Sequence, residues 1–305
     1  MGEPRWRSHE AGEKTRAPDV HSAEAILAHP AFRDALAVYF ERFDRLYRYN
    51  PFLNKLVTEA TRSLVFFTLL VLDAGYDVSD RTTWPTLANV HRAMTALSLG
   101  SARHIDHLIQ RLAQVGFIET QPSTVDRRVR LLRPAKPMID HDLDWIATHY
   151  APLAHLFGAD RYRLPINRDR AFQVVQRRVA SAALEQLSSP LVHNPIILFF
   201  TQHDSAFLIL VGLIRSALKA GSDVAVVPYA ELARRYAISR THIRRLLDEA
   251  SERGWLAMEG RHRRAITLLP PLWDAIERFV AEGMANHDLT CALAMSEILS
   301  STAPP

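Results

Sequence analysis

Cysteine is all but missing from this chain. Cys291 is the only one in 305 residues, which excludes a disulfide framework and a cysteine-based zinc site. Glycine is sparse, at eleven. No phosphate-binding glycine loop, HExxH helix, nucleophile elbow or triad pattern is found, so the chain is expected not to be an enzyme. Long apolar runs are absent as well. The greasiest stretches, Leu64–Leu72 and Phe207–Ile214, are too short to cross a bilayer as helices and suit buried core helices. Residues 1–20 lack an apolar segment, so they read as a disordered polar lead and not as a signal peptide. No membrane partner and a cytoplasmic location are expected. Lysine is scarce too: it supplies four of the 37 basic residues, Lys14, Lys55, Lys136 and Lys219. Arginine makes up the rest. Arginine suits planar, bidentate contact with phosphate and guanine, although a GC-rich genome would produce the same bias.

What the chain does contain, it contains twice. Arg103–Ile118, "RHIDHLIQRLAQVGFI", matches Thr241–Leu256, "THIRRLLDEASERGWL", without a gap at an offset of 138. His104 aligns with His242, Leu108 with Leu246 and Gly116 with Gly254. A serine opens each copy, Ser101 and Ser239, and each can cap the free amides of a helix start. Downstream, "RRVRLLRP" (Arg127–Pro134) aligns with "RRAITLLP" (Arg263–Pro270), which predicts a second hairpin two residues shorter than the first. Upstream, "NPFL" (Asn50–Leu53) matches "NPII" (Asn194–Ile197), and an apolar helix follows each.

The second copy is the easier to assign. Val226–Val227 reads as extended, Pro228 opens a helix through Tyr236, and residues 240–253 form the next helix. Ile243, Leu246, Leu247 and Ala250 make one apolar stripe on that helix. Gly254 ends it, and two alternating strands follow. Helix, tight turn, helix and β-hairpin is the winged helix-turn-helix plan. The expected fold is therefore mainly α with two small β-hairpin wings, a tandem winged helix-turn-helix with pseudo-twofold internal duplication. The expected halves span residues 21–138 and 139–305, with reading modules at about 83–134 and 224–270.

The polar face of each second helix carries the information. One copy exposes Arg103, His104, His107 and Gln110, with Arg111 at the edge; the other exposes Arg240, Thr241, Arg244 and Arg245. Such residues near a helix N-terminus can read base edges in the major groove. Arginines crowd each hairpin turn: Arg127 and Arg128 in the first, Arg261, Arg263 and Arg264 in the second. A solvated basic face is the plain alternative, but here the face sits on the second helix of the pair in both copies. Double-stranded DNA is the expected partner.

The run Ser101–Pro134, "SARHIDHLIQRLAQVGFIETQPSTVDRRVRLLRP", resembles the MarR-type transcriptional regulators. Helix, Gly, strand, "DRR" and strand is the order that carries the likeness, over about thirty-five residues. The resemblance implies sequence-specific regulation of transcription. It also implies that Arg127 or Arg128 meets the minor groove while Asp126 braces it. The second copy has no matching Asp. Family members pair as homodimers of shorter chains; this chain resembles such a dimer fused into one, acting as a monomeric pseudo-dimer or a homodimer. The resemblance further implies a small aromatic effector, for which Tyr39, Phe43, Tyr47 and Trp84 could line a pocket. A stripe at 39, 43 and 47 is also what core packing produces.

Other readings remain. Tandem winged helices also occur in plasmid replication initiators, and winged helices can serve as protein-interaction modules. His104 and His107 are three apart on a helix and could share a metal, but no suitably placed ligand joins them, so no metal or cofactor is expected. His203 and Asp204 interrupt apolar sequence, either as a buried hydrogen-bonded pair or as pocket lining. The amphipathic segment from Pro271 to Ser301 could cover the chain's own first half or pair with another chain.

Overall fold

The computed structural model describes residues 20–96, 100–181, 193–259 and 265–302. The fold is mainly helical, with two small antiparallel sheets. The first part of the chain runs α1 (Ala23–Leu27), α2 (Phe32–Tyr47), α3 (Pro51–Val57), α4 (Ala60–Ala74), α5 (Leu87–Ala96), α6 (Ala102–Gln114), β1 (Ile118–Pro122), β2 (Arg130–Pro134) and α7 (Lys136–Phe157). A short α8 (Arg163–Ile166) leads into a second series. This is α9 (Arg170–Ser181), α10 (Pro195–Gln202), α11 (Ala206–Ala220), β3 (Val224–Val226), α12 (Tyr229–Tyr236), α13 (Arg240–Glu252), β4 (Leu256–Glu259), β5 (Ala265–Leu268) and α14 (Pro270–Thr302).

Local chemistry sets many of the element starts, and it recurs along the chain. Asn50 accepts a hydrogen bond from the Leu53 amide at 3.0 Å, and Asn194 accepts one from Ile197 at 3.1 Å. Each asparagine precedes a proline at the first helical position, where a missing N–H is harmless. The apolar runs become α4 and α11, as their composition predicts. Every residue from Ala206 to Ile214 is buried. Gly212 lets α12 approach closely within that run: a Cβ there would lie 2.6 Å from Leu232 Cδ2 on α12, so that side chain would have to shift.

The two series share one core. α2 packs on α7 and also on α11, while α9 packs on α14 and on α4. Each long helix thus lies against the apolar helix of the other series. α7 and α14 also pack on each other, and α14 covers α1, α9 and α10, so the segment after the last hairpin buries within its own chain. The expected division at residue 138 falls inside the first turn of α7, leaving no linker there. Among the described residues no single helix is long and apolar enough to cross a membrane.

Buried charges join the helices. Asp44 of α2 is fully buried. Its carboxylate accepts hydrogen bonds from Arg235 Nε at 2.6 Å, from Arg235 Nη2, and from the Tyr236 hydroxyl at 2.7 Å, all on α12. Arg215 of α11 lies 3.6 Å away. Burial pushes the Asp44 carboxyl up, but the Arg235 and Tyr236 hydrogen bonds and the arginine charges outweigh it and hold it below its ordinary value. Asp142 of α7 is likewise buried against Arg177 and Gln173 of α9. Asp288 of α14 takes Arg161, Tyr162 and His21.

The sheets differ from expectation in two respects. Ile118 pairs with Pro134, and its counterpart Leu256 pairs with Leu268. The second hairpin is therefore four residues shorter, not two, because strand register overrides the arginine alignment. The second sheet also has a third strand, β3, on the free edge of β5. His203 and Asp204 do not interrupt a helix; they form the break between α10 and α11, where Ser205 takes a left-handed φ of 56°.

Stability should respond to these buried groups in two ways. Asp44→Ala leaves Arg235 and Tyr236 buried without their acceptor and should destabilise the fold by about 3–5 kcal/mol in urea unfolding. A second effect comes from histidines. Burial pushes His141 down to about 4 and His149 down to about 3, and holds His287 well below 6.5. A folded value below the unfolded one means that acid favours the unfolded chain, which takes up the proton first. Stability should fall as pH drops below about 6.5, by up to about 1.4 kcal/mol per unit per histidine. His149→Phe should flatten that slope between pH 6.5 and 5.

Candidate nucleic-acid interface

The two exposed helices α6 and α13 are built to one pattern. Ser101 Oγ accepts from the His104 amide at 3.3 Å, and Ser239 Oγ accepts from His242 at 3.1 Å. Each satisfies an amide that a helix start leaves free. At the other end Gly116 and Gly254 both have φ of +74°. The next amides, Phe117 and Trp255, reach back to Leu112 and Ala250 carbonyls at 2.9 and 3.1 Å, which closes both helices the same way. The inner faces match as well. Ile105, Leu108, Ile109 and Leu112 are buried at the positions of Ile243, Leu246, Leu247 and Ala250. Each unit sits on its own apolar helix: α4 contacts α5, α6 and β2, and α11 contacts α12, α13 and β3.

With the inner faces fixed, the outer faces are fixed too. Arg103, His104, His107 and Gln110 are all exposed on α6, and Arg111 with them. On α13, Arg240, Thr241, Arg244 and Arg245 are exposed. His242 behaves differently from His104: its Nε2 lies 3.0 Å from the Asp204 carbonyl oxygen, and the Asp204 carboxylate accepts from Arg62 of α4 at 3.1 Å. A residue of the first series therefore reaches the start of α13 through the α10–α11 break. His91 of α5 holds Asp106 of α6 at 2.8 Å.

The first wing is a hairpin whose strands pair from Ile118↔Pro134 to Pro122↔Arg130. The tip closes with Ser123 N to Val129 O and Val129 N to Asp126 O, both at 2.9 Å. Arg127, Arg128 and Arg130 are exposed. Asp126 makes two contacts: its Oδ1 accepts from the Arg128 amide at 3.2 Å, and its Oδ2 accepts from Arg81 Nη2 at 3.0 Å. Arg81 is itself exposed and lies over the Trp84 ring, 5.2 Å from the centroid. Its backbone sits in a short 3₁₀ turn, Arg81–Thr83, capped by Asp80, whose carboxylate accepts from the Thr82 amide at 2.9 Å. Thus a fourth arginine joins the wing from 45 residues upstream. No local pattern marks it, because Arg81 belongs to the wing only in three dimensions. In the second wing Arg261, Arg263 and Arg264 lie outside the described residues.

The aromatic residues do not form the expected pocket. Tyr39, Phe43 and Tyr47 are buried along α2, in ring contact with one another, with His149, with His141 and with Phe207. Trp84 is buried apart from them, where its Nε1 donates to the Asp77 carbonyl at 2.9 Å. The stripe is core packing. A cleft of about 680 Å³ lies instead between α2, α3, α7 and α8, with Arg42, Arg45, Arg168, Phe52, Phe117 and His141 among its lining. Among the described residues no cluster of three or more His, Cys, Asp or Glu could hold a metal.

The chain matches no family model, no characterised protein and no solved structure at a significant level.

Asp126→Ala should release both the Arg128 amide and Arg81. Hydrogen exchange at Arg128 should quicken by about two- to tenfold, the worth of one hydrogen bond, with little change in global stability.

Proposed function

We propose that this chain is a sequence-specific, double-stranded-DNA-binding regulator of transcription, built as two winged helix-turn-helix units of MarR type in one pseudo-dimeric chain. The observation that carries the reading is the repeated frame. The serine caps, the glycine φ of +74° and the buried stripes recur at an offset of 138, and in both cases the first turns of the outer face expose arginine with histidine or threonine. A surface kept basic by chance would not need so close a match of support twice. In this reading α6 and α13 enter the major groove, and the Arg127–Arg128 wing lies at the minor groove with Arg81 beside it. Joining the units in one chain makes the second contact intramolecular, and two readers on one face of a duplex sit about one turn, roughly 34 Å, apart.

A gel shift of the full chain on sheared genomic DNA at two salt levels tests the reading. Affinity should fall by about a thousandfold or more between about 50 and about 200 mM salt, because arginines release counterions from phosphate. Arg127→Ala with Arg128→Ala should weaken binding and lower the salt slope by about 1 for each phosphate no longer neutralised. Binding that is weak and indifferent to salt would favour a protein-interaction module instead.

A further inference from the structure

We infer that the duplex site is intrinsically asymmetric, with a short guanine-bearing half-site for α13 and a longer, chemically different half-site for α6; this rests on the DNA-binding reading above. The shared frame makes the comparison position by position. Because Ser101 and Ser239 cap the helices and the same four inner positions are buried, each outer residue of α6 has a defined counterpart on α13. Arg103 stands where α13 has Thr241. Asp106 stands where it has Arg244, and His107 where it has Arg245.

The contrast continues along the helix and reverses in sign. Gln110 and Arg111 of α6 correspond to Asp248 and Glu249 of α13, and Gln114 to Glu252. The first half of α13 is thus basic and its second half acidic. Glu249 is bonded to Arg253 at 2.7 Å, and the exposed Glu252 in the last turn opposes a polyanion. α13 can therefore lie close to a duplex only through its first turn and a half, where Arg244 and Arg245 suit the paired acceptors N7 and O6 of guanine. On α6 the single acid, Asp106, is held by His91 of α5. Arg103, His107 and Gln110 remain exposed along the same helix. They span about 10 Å of helix, against about 6 Å from Thr241 to Arg245. Glutamine at position 110 suits the N6 and N7 edge of adenine.

A symmetric dimer of one short chain presents one face twice and favours a palindrome. Apart from His104 and His242, of which His242 is bonded to the Asp204 carbonyl, none of these outer positions carries the same residue in both units, so a palindromic site would serve one of the readers poorly. The duplication has kept the supporting residues and changed the reading ones.

Selection from a random-sequence duplex library with the full chain, followed by sequencing, tests this. The expected result is a motif whose two halves are unrelated by inversion, with guanine in one of them. Arg244→Ala with Arg245→Ala should relax that half alone and weaken binding about 5- to 150-fold. Arg103→Ala should relax the other half alone. Both sites are exposed, so the fold should be unaffected. A palindromic motif, or relaxation of both halves with either variant, would overturn the asymmetry while leaving DNA binding standing. Failure to enrich any duplex, with the wild-type chain folded, would overturn both.

Discussion

The Asp44 carboxylate lies in the core on α2, and most of what neutralises it comes from the far end of the chain. Arg235 and Tyr236 supply the close hydrogen bonds and Arg215 a further charge. An uncompensated charge at that depth is strongly unfavourable, so the carboxylate and the α12 terminus must be buried together or not at all. The contact is not obviously a large net source of stability, since a well-packed apolar trio would be about as good. What it supplies is register. Apolar surfaces slide over one another with small penalties, whereas a buried carboxylate with a forked guanidinium accepts one arrangement. Two more joints of the same kind, Asp142 with Arg177 and Asp288 with Arg161, tie α7 to α9 and α14 to the segment before α8.

Fixing α2 against α12 has a consequence at the surface. The Tyr49 amide donates to the Arg235 carbonyl at 2.6 Å, and Asn54 Nδ2 donates to the Tyr236 carbonyl at 3.1 Å. The turn between α12 and α13 is therefore held by residues that precede it by nearly two hundred positions. Arg62, Asp204 and His242 add a further link at the start of α13. The exposed face of α13 is thus presented on a support drawn from both series. Under the proposed function such a support lowers the ordering entropy lost on binding.

Legibility in the sequence followed the range of the interaction. The serine caps, the Asn-Pro starts, the glycine stops and the buried stripes are all decided within a few residues, and these were readable. The exposed residues on α6 and α13 were readable for the same reason, since a helix with a known inner face has a known outer one. Hairpin length is not legible because "RRVRLLRP" and "RRAITLLP" align by their arginines. Strand pairing follows instead the residues that cover the core, Leu131 and Leu132 in one case and Ile266 and Leu268 in the other. The aromatic stripe of α2 at 39, 43 and 47 points to core packing more than to a pocket, and its neighbours decide for core. Asp44 with Arg235, 191 residues apart, and Arg81 with Asp126, 45 apart, left no local trace.

Among the described residues, long-range side-chain contacts fasten both outward units. The first is secured at its wing, where Asp126 joins the Arg128 amide to Arg81 and the stiff 3₁₀ turn beneath it. The second is secured at its helix pair, through Asp44 and the Asp204 carbonyl. A brace on a hairpin fixes the distance between its tip and the neighbouring helix; a brace on the turn between α12 and α13 fixes the angle of α13 to the scaffold. Rigidity placed at different points leaves different motions available. Any movement of α2 acts on α12 directly through Asp44, while α6 is joined to α2 through α3 and α4. Coupling between the units then runs through one helix that both must share.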